Sequence, residues 1–175
     1  MKKLAHAEIP RMSPSELMKS DRFPITLLLE NIRSAHNVGS LIRTADAIRA
    51  QRVILGGVTA PASHRGVHKS ALGAQDVVPW EHVQDPLALV DEARAKGTTV
   101  IGLEITDSPT DLDTLSKEIF PIMLVVGNEV DGISDELLSR CHHAIEIPQY
   151  GMKQSLNVSV AGGIALYDLL RIYLR

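Results

Sequence analysis

The stretch PIMLVVGNEVDGIS, residues 121–134, decides how this chain is read. Five consecutive apolar residues, Ile122 to Val126, stand between Pro121 and Gly127. The run is too short for a helix of its own, and it offers no polar face. Such a segment fits a central strand covered on both sides. Gly127, Asn128, Asp131 and Gly132 then supply turn chemistry, and Ser134 opens a helical SDELLSR (134–140) with a capping hydroxyl. Strand, polar loop and helix follow one another within 20 residues.

Outward from this unit the same alternation repeats. ITLLLE (25–30) reads as a buried strand. NVGSLIRTADAIRA (37–50) places Val38, Leu41, Ile42, Ala45 and Ile48 on one helical face, with Asn37 in position to cap it. RVILGG (52–57) is a second strand, HKSALGA (68–74) a short helix or loop, and VVPWEHV (77–83) surrounds a third strand. DPLALVDEARAKG (85–97) has Asp85 as N-cap, Pro86 at its first position and Gly97 at its end. TTVIGLEI (98–105) and HAIEIP (143–148) are further strands, and a long helix capped by Ser155 closes the chain. Apolar strands alternating with helices predict an α/β fold, a mostly parallel sheet flanked by helices. Residues 1–24 form an N-terminal arm or short helix ending at Pro24, and residues 25–175 a single domain. Ligands of such sheets bind beyond the carboxyl ends of the strands, which directs attention to the loops after residues 30, 57, 104, 127 and 148.

Composition narrows the class. The 175 residues are 45% hydrophobic and 22% charged, ordinary for a globular domain. Cys141 is the single cysteine, so no intramolecular disulfide forms and a reducing, cytoplasmic setting is expected. MKKLAHAEIP lacks the apolar core of a signal peptide. The apolar stretch 156–174 carries Asp168 and Arg171 and reads as a buried helix, not a membrane span. Net charge is -3, yet residues 1–75 hold 11 Lys/Arg against 5 Asp/Glu, while residues 76–175 hold 7 against 16. This asymmetry permits one basic face on an acidic body, or mere clustering of surface charge.

Three of the strand-end loops are unusual. ENIRSAHNVGSLIRTAD (30–46) sets Asn31, Arg33, Asn37 and Arg43 between a core strand and a helix. Gly39 there admits close approach of a ligand or another backbone. Arg43 can point into the strand-end crevice or stand as an ordinary exposed charge. In VVGNEVDGIS (125–134), Glu129 follows a buried strand almost at once, where a carboxylate can orient an arginine or accept backbone N–H groups. IPQYGMKQSLNVSVAGG (147–163) ends with Gly162 and Gly163 inside a helix. Each costs roughly 1 kcal/mol relative to alanine there, which suggests close contact with another backbone, such as that of a second copy.

Taken together, the three loops resemble the signature motifs of the SpoU/TrmH branch of the SPOUT methyltransferases. The first is N-x-R-x-x-x-N-x-G-x-x-x-R, here Asn31, Arg33, Asn37, Gly39 and Arg43. The second is G-N-E-x-x-G, here Gly127, Asn128, Glu129 and Gly132. The third runs from Ile147 to Ala161 and contains SLNVSVA. The resemblance covers about residues 25–174. It implies a SPOUT-type domain over residues 25–175 with a C-terminal deep trefoil knot. It implies S-adenosylmethionine as methyl donor, held at Leu103, Gly127, Ile147 and Leu156, with no metal. It implies 2′-O-methylation of a ribose in tRNA or rRNA, by a homodimer with active sites at the subunit interface. The catalytic positions carried over are Asn37, Arg43, Glu129, Ser155 and Asn157. Relatives of this kind often add an RNA-binding domain or a basic tail. Here RNA capture is expected on the domain itself, through Arg11, Arg33, Arg43, Arg65, His68 and Lys69, with Lys2 and Lys3 as further cations. Gln149 departs from the methionine common at its place in the third motif.

Other classes compete. His64 and His68 form H-x-x-x-H, and Cys141, His142 and His143 are adjacent, but no nearby acid completes a metal-dependent hydrolase. GVHKS (66–70) lacks the full P-loop pattern. A non-enzymatic RNA-binding or assembly factor that keeps the fold is the alternative function. No membrane association is expected.

Overall fold

A computed structural model describes residues 1–10 and 12–175. Helix α1 (Pro14–Lys19) precedes strand β1 (Phe23–Glu30), and then come α2 (Ala35–Ala47), β2 (Ala50–Gly56) and α3 (Arg65–Ala71). After these follow β3 (Trp80–Val83), α4 (Leu87–Ala95), β4 (Thr99–Leu103), β5 (Ile122–Val126), α5 (Asp135–Leu138), β6 (His143–Ile145) and α6 (Val158–Leu174). The six strands make one sheet in the order β3-β2-β1-β5-β4-β6. Every pairing in it is parallel.

The apolar runs are sorted by the pleat. Leu27, Leu29, Val53, Leu55, Leu124 and Val126 join the core on one face, beneath α2, α3 and α6. Leu28, Ile54, Met123 and Val125 join the core on the other, beneath α4 and α5. Continuous hydrophobicity is thus alternation with both faces covered. Pro24 lies inside β1 and not before it. The pairing with β2 slips between Phe23 and Thr26, and such an irregularity tolerates a residue without an N–H. The end of α6 is fixed by Tyr173, which packs edge-on against Phe23 and Phe120 with ring centroids 5.6 and 5.0 Å away.

Several element ends differ from the sequence reading. Asn37 does not cap α2. Ser34 does, its hydroxyl accepting the Asn37 N–H at 3.4 Å. Ser155 does not cap α6. Asn157 does, with Oδ1 accepting the N–H of Ser159 at 2.9 Å. Asn37 lies inside α2, where its side chain bonds Glu129 and Asn157, while Asn157 caps α6 through Oδ1 and leaves its amide free to reach Asn37. Strand β6 stops at Ile145, short of the expected Pro148. GVHKS is part of helix α3, so it cannot cradle a phosphate as a loop. No helix among the described residues is long and apolar enough to cross a membrane.

Candidate active site

The carboxyl ends of β4 and β5, the loop after β6 and the first turn of α6 enclose a cleft of about 380 Å³. Its apolar wall is Leu103, Val126, Ile147, Leu156, Val158 and Ala161. Its charged lining is Glu104, Glu129 and Glu146, and no Lys or Arg is among the lining residues. The loop after β5 is a tight reversal in which Asn128 and Gly132 exchange backbone hydrogen bonds of 3.0 and 3.1 Å. Asn128 Oδ1 also accepts the N–H groups of Val130 and Asp131, both at 2.8 Å. Gly127 is required by this reversal, because a Cβ there would stand 2.1 Å from the carbonyl carbon of Gly132.

Glu129 leaves this loop and crosses to the start of α2. Its carboxylate accepts the N–H of Arg33 (3.0 Å), the N–H of Ser34 (3.2 Å) and the amide of Asn37 (2.9 Å). Partial burial pushes its carboxyl pKa up. The bonds from Arg33, Asn37 and Ser34 outweigh that and hold it below the ordinary value of 4.5. Of the two roles that the sequence left open, backbone acceptance is the one seen. Asn37 Oδ1 in turn accepts the amide of Asn157 at 3.2 Å. One chain of bonds therefore joins the loop after β5, the first turn of α2 and the cap of α6.

Asn31 has a left-handed backbone (φ 55°), which asparagine tolerates better than most residues. Its Oδ1 accepts the N–H of Val58 at 3.0 Å and ties β1 to the loop after β2. Buried Thr59 strengthens the tie, donating to Leu29 O and accepting the Ile32 N–H, each at 3.0 Å. Gly39 meets a backbone, that of α3. A Cβ there would lie 2.3 Å from Val67 O and 2.2 Å from Ser70 Oγ.

The family profile described as the SpoU rRNA methylase family matches residues 24–167. The chain belongs to the SpoU rRNA methylase family. It is 35% identical over 143 residues to the 23S rRNA guanosine 2′-O-methyltransferase RlmP of Bacillus subtilis, covering 82% of this chain and 56% of that protein. Among solved structures, it resembles the A. aeolicus TrmH/SpoU tRNA modifying enzyme (TM-score 0.81, 27% identity, 93% of this chain and 84% of that one). It also resembles an AdoMet-bound rRNA methyltransferase of Sinorhizobium meliloti (TM-score 0.79, 29% identity, 92% and 61%). The chain spans 57–66% of the length of the first three curated relatives that it matches.

Within this SpoU domain the motif residues divide into three groups. Leu103, Gly127, Ile147 and Leu156, the expected donor contacts, all line the cleft, as do Glu129, Ser155 and Asn157. Asn37 touches the cleft's rim through its two bonded partners. Arg43 is different. It does not point into the crevice, but is exposed on α2 and absent from the cleft lining. The helical twist that buries Leu41, Ile42 and Ala45 turns position 43 outward. Arg33, Arg65, His68 and Lys69 are exposed as well, the last three on α3. Lys2 and Lys3 are exposed in the N-terminal segment, and Arg11 lies outside the described residues.

Within its own chain Gly162 meets a side chain and not a backbone. A Cβ there would face the Leu41 side chain of α2 at 2.6 Å, and one at Gly163 would meet nothing nearer than Thr44 at 3.9 Å. His64, His142 and Cys141 have structural surroundings. His64 Nδ1 accepts the Gly66 N–H at 3.0 Å, and His142 Nδ1 accepts the Val100 N–H at 2.9 Å. Burial pushes the Cys141 thiol up to about 11, which leaves little thiolate for metal or nucleophilic chemistry.

Sequence reading passed over two glutamates. Glu30, 5% exposed, accepts the N–H and hydroxyl of Ser134 at 2.9 and 2.6 Å. Glu104 accepts the N–H of Ile133 at 2.9 Å. The signal that marked Glu129, a carboxylate at or just past the end of an apolar strand, is equally present in LLLE and VIGLE.

Proposed function

We propose that this domain transfers a methyl group from S-adenosylmethionine to a ribose 2′-OH of tRNA or rRNA, acting in the cytoplasm as a homodimer. The observation that carries the reading is the distribution of charge at the convergence of the three motif loops. The cleft offers an apolar wall and three carboxylates with no cation. Such a lining suits a donor that bears a sulfonium and an ammonium, and repels nucleotide phosphates. The exposed cations Arg33, Arg43, Arg65 and Lys69 stand outside the cleft, where a polyanionic acceptor would lie. The same reading includes the C-terminal trefoil knot.

S-adenosylmethionine supplies a methyl group already activated by its sulfonium. The residues then have to align and to exclude water. Leu103, Ile147 and Leu156 offer the apolar wall on which an adenine ring packs. Asn37, Glu129 and Asn157 fix the loops that shape the cleft. Ser155, exposed at the rim, offers a hydroxyl to the acceptor. Arg43 binds the phosphate beside the reacting ribose and steadies the charge that grows on its oxygen, since a guanidinium is a donor with no lone pair to take up a proton.

A dimer brings Arg43 within reach of a cleft. Val160, Ile164 and Tyr167 are 50%, 39% and 43% exposed on one face of α6, beside Thr44 of α2. Covering this apolar stripe with a second copy would bring the outward face of α2 towards the partner's cleft. The test is transfer of labelled methyl to bulk tRNA and, separately, to rRNA, by wild type and Arg43→Ala. Label in an alkali-resistant dinucleotide identifies the 2′-O position. Arg43→Ala is expected to lose transfer while binding the donor within about threefold of wild type. Near-normal turnover by that variant would refute the role of Arg43. A wild type that binds no donor would refute the enzyme itself.

A further inference from the structure

We infer that Glu104 is a positioning residue for the methyl donor, a carboxylate that extends the sheet past its last backbone rung and thereby sets the shape of the donor cleft. The inference rests on the methyltransferase reading above. Strand β5 lies between β1 and β4, and its pairing with β4 ends at Leu103↔Val126. Beyond that rung the chain reverses through residues 127–132 and returns as Ile133 and Ser134. Two consecutive backbone N–H groups there point to opposite sides and find no strand to accept them. Glu104 takes the first, with Oε2 on the Ile133 N–H at 2.9 Å. Glu30, from the end of β1, takes the second, with Oε2 on the Ser134 N–H at 2.9 Å. Side chains from the two flanking strands thus replace the ladder where the loop leaves it.

The two carboxylates are not equivalent. Glu30 is buried and does not line the cleft. Glu104 does line it. Its Oε1 accepts the Ile105 N–H at 2.9 Å, and its own N–H donates to Ile145 O at 3.1 Å. One residue therefore ties the loops after β4 and β5 to each other and to the end of β6, beside the cleft. Gly132 is the complement. It has φ 72°, and a Cβ there would stand 2.2 Å from Glu104 Oε2, so the backbone is left bare for the carboxylate to seat.

Both carboxylate oxygens accept an N–H, so a glutamine of the same size must turn its NH2 toward one of these donors. Glu104→Gln and Glu30→Gln are compared with wild type for S-adenosylmethionine affinity by calorimetry, for melting temperature without donor, and for kcat at saturating donor. Glu104→Gln is expected to weaken donor binding at least tenfold, with kcat within about twofold and amide exchange at Ile133 accelerated. Glu30→Gln is expected to lower the melting temperature more than Glu104→Gln and to change donor affinity less than threefold. Unchanged donor affinity in Glu104→Gln overturns the inference while leaving the methyltransferase reading in place. So does an equal loss in both variants, which would mean general loosening of the loop. A wild type that binds no donor overturns both.

Discussion

Gly39 shows how much one hydrogen atom in place of a side chain can decide. In a helix interior, Gly→Ala normally stabilises by about 1 kcal/mol. At position 39 the added methyl would be driven into Val67 O and Ser70 Oγ. The carbonyl belongs to α3, whose Ser70 hydroxyl also donates to His36 O at 2.9 Å, so neither partner is free to swing away. Overpacking of this kind typically costs about 1–3 kcal/mol, which exceeds the gain in helix propensity at the upper end. Gly39→Ala is expected to lower the melting temperature by a few degrees, on the scale of about 2–4 °C per kcal/mol, as followed by circular dichroism. A variant more stable than wild type would show that α3 is not seated against α2 in this way. The glycine was legible in the sequence as a point of close approach. Its partner was not, because nothing local says that residues 67–71 return to it.

At the scale of elements, the boundary between α2 and the loop after β5 is held by a single carboxylate. Glu129 has its pKa lowered by hydrogen bonds that exist only when folded, from Arg33, Asn37 and Ser34. A group whose folded pKa is depressed contributes stability above its unfolded value, and loses it as pH falls through the folded value. Wild type should therefore exceed Glu129→Gln in melting temperature near neutrality. The gap should shrink as pH falls below about 4.5, the ordinary value. A gap independent of pH down to the acid transition would show that the carboxylate charge contributes nothing to this junction. The strands themselves were readable from apolar runs, because burial on both faces leaves no other pattern. The caps were misread: the sequence pointed to Asn37 and Ser155, whereas Ser34 and Asn157 cap the helices. The side chains of both Asn37 and Asn157 are engaged over 90 residues away in sequence, Asn37 with Glu129 and Asn157 with Asn37. Non-local partners also explain why Glu30 and Glu104 passed unnoticed, 104 and 29 residues from the groups they bind. Their partners, Ile133 and Ser134, lie on a loop whose return path is set by the whole sheet.

The exposed stripe on α6 carries a prediction about assembly. Gly163 has room for a methyl group within its own chain, so Gly163→Ala should stabilise an isolated protomer by about 1 kcal/mol through helix propensity. If a second copy packs against Val160, Ile164 and Tyr167, the same methyl stands in the interface. Sedimentation should then show a weaker dimer in spite of the better helix. A variant that dimerises as tightly as wild type would move the interface away from this stripe. Charge makes the complementary case for the acceptor. The basic residues of the first 75 positions are not spread evenly, since Arg65 and Lys69 lie one turn apart on α3, which packs on the same α2 that carries Arg43. Each phosphate contact to single-stranded RNA contributes roughly -0.7 to the slope of log K against log salt. Four contacts, from Arg33, Arg43, Arg65 and Lys69, would give a slope of about -3. Replacing Arg65 and Lys69 together by alanine should bring it to about -1.4, with donor affinity unchanged because neither residue lines the cleft. Binding measured by filter retention between 50 and 200 mM salt distinguishes the outcomes. A slope that stays near -3 in the double variant would place the RNA on another face, and α3 would then serve only to brace Gly39.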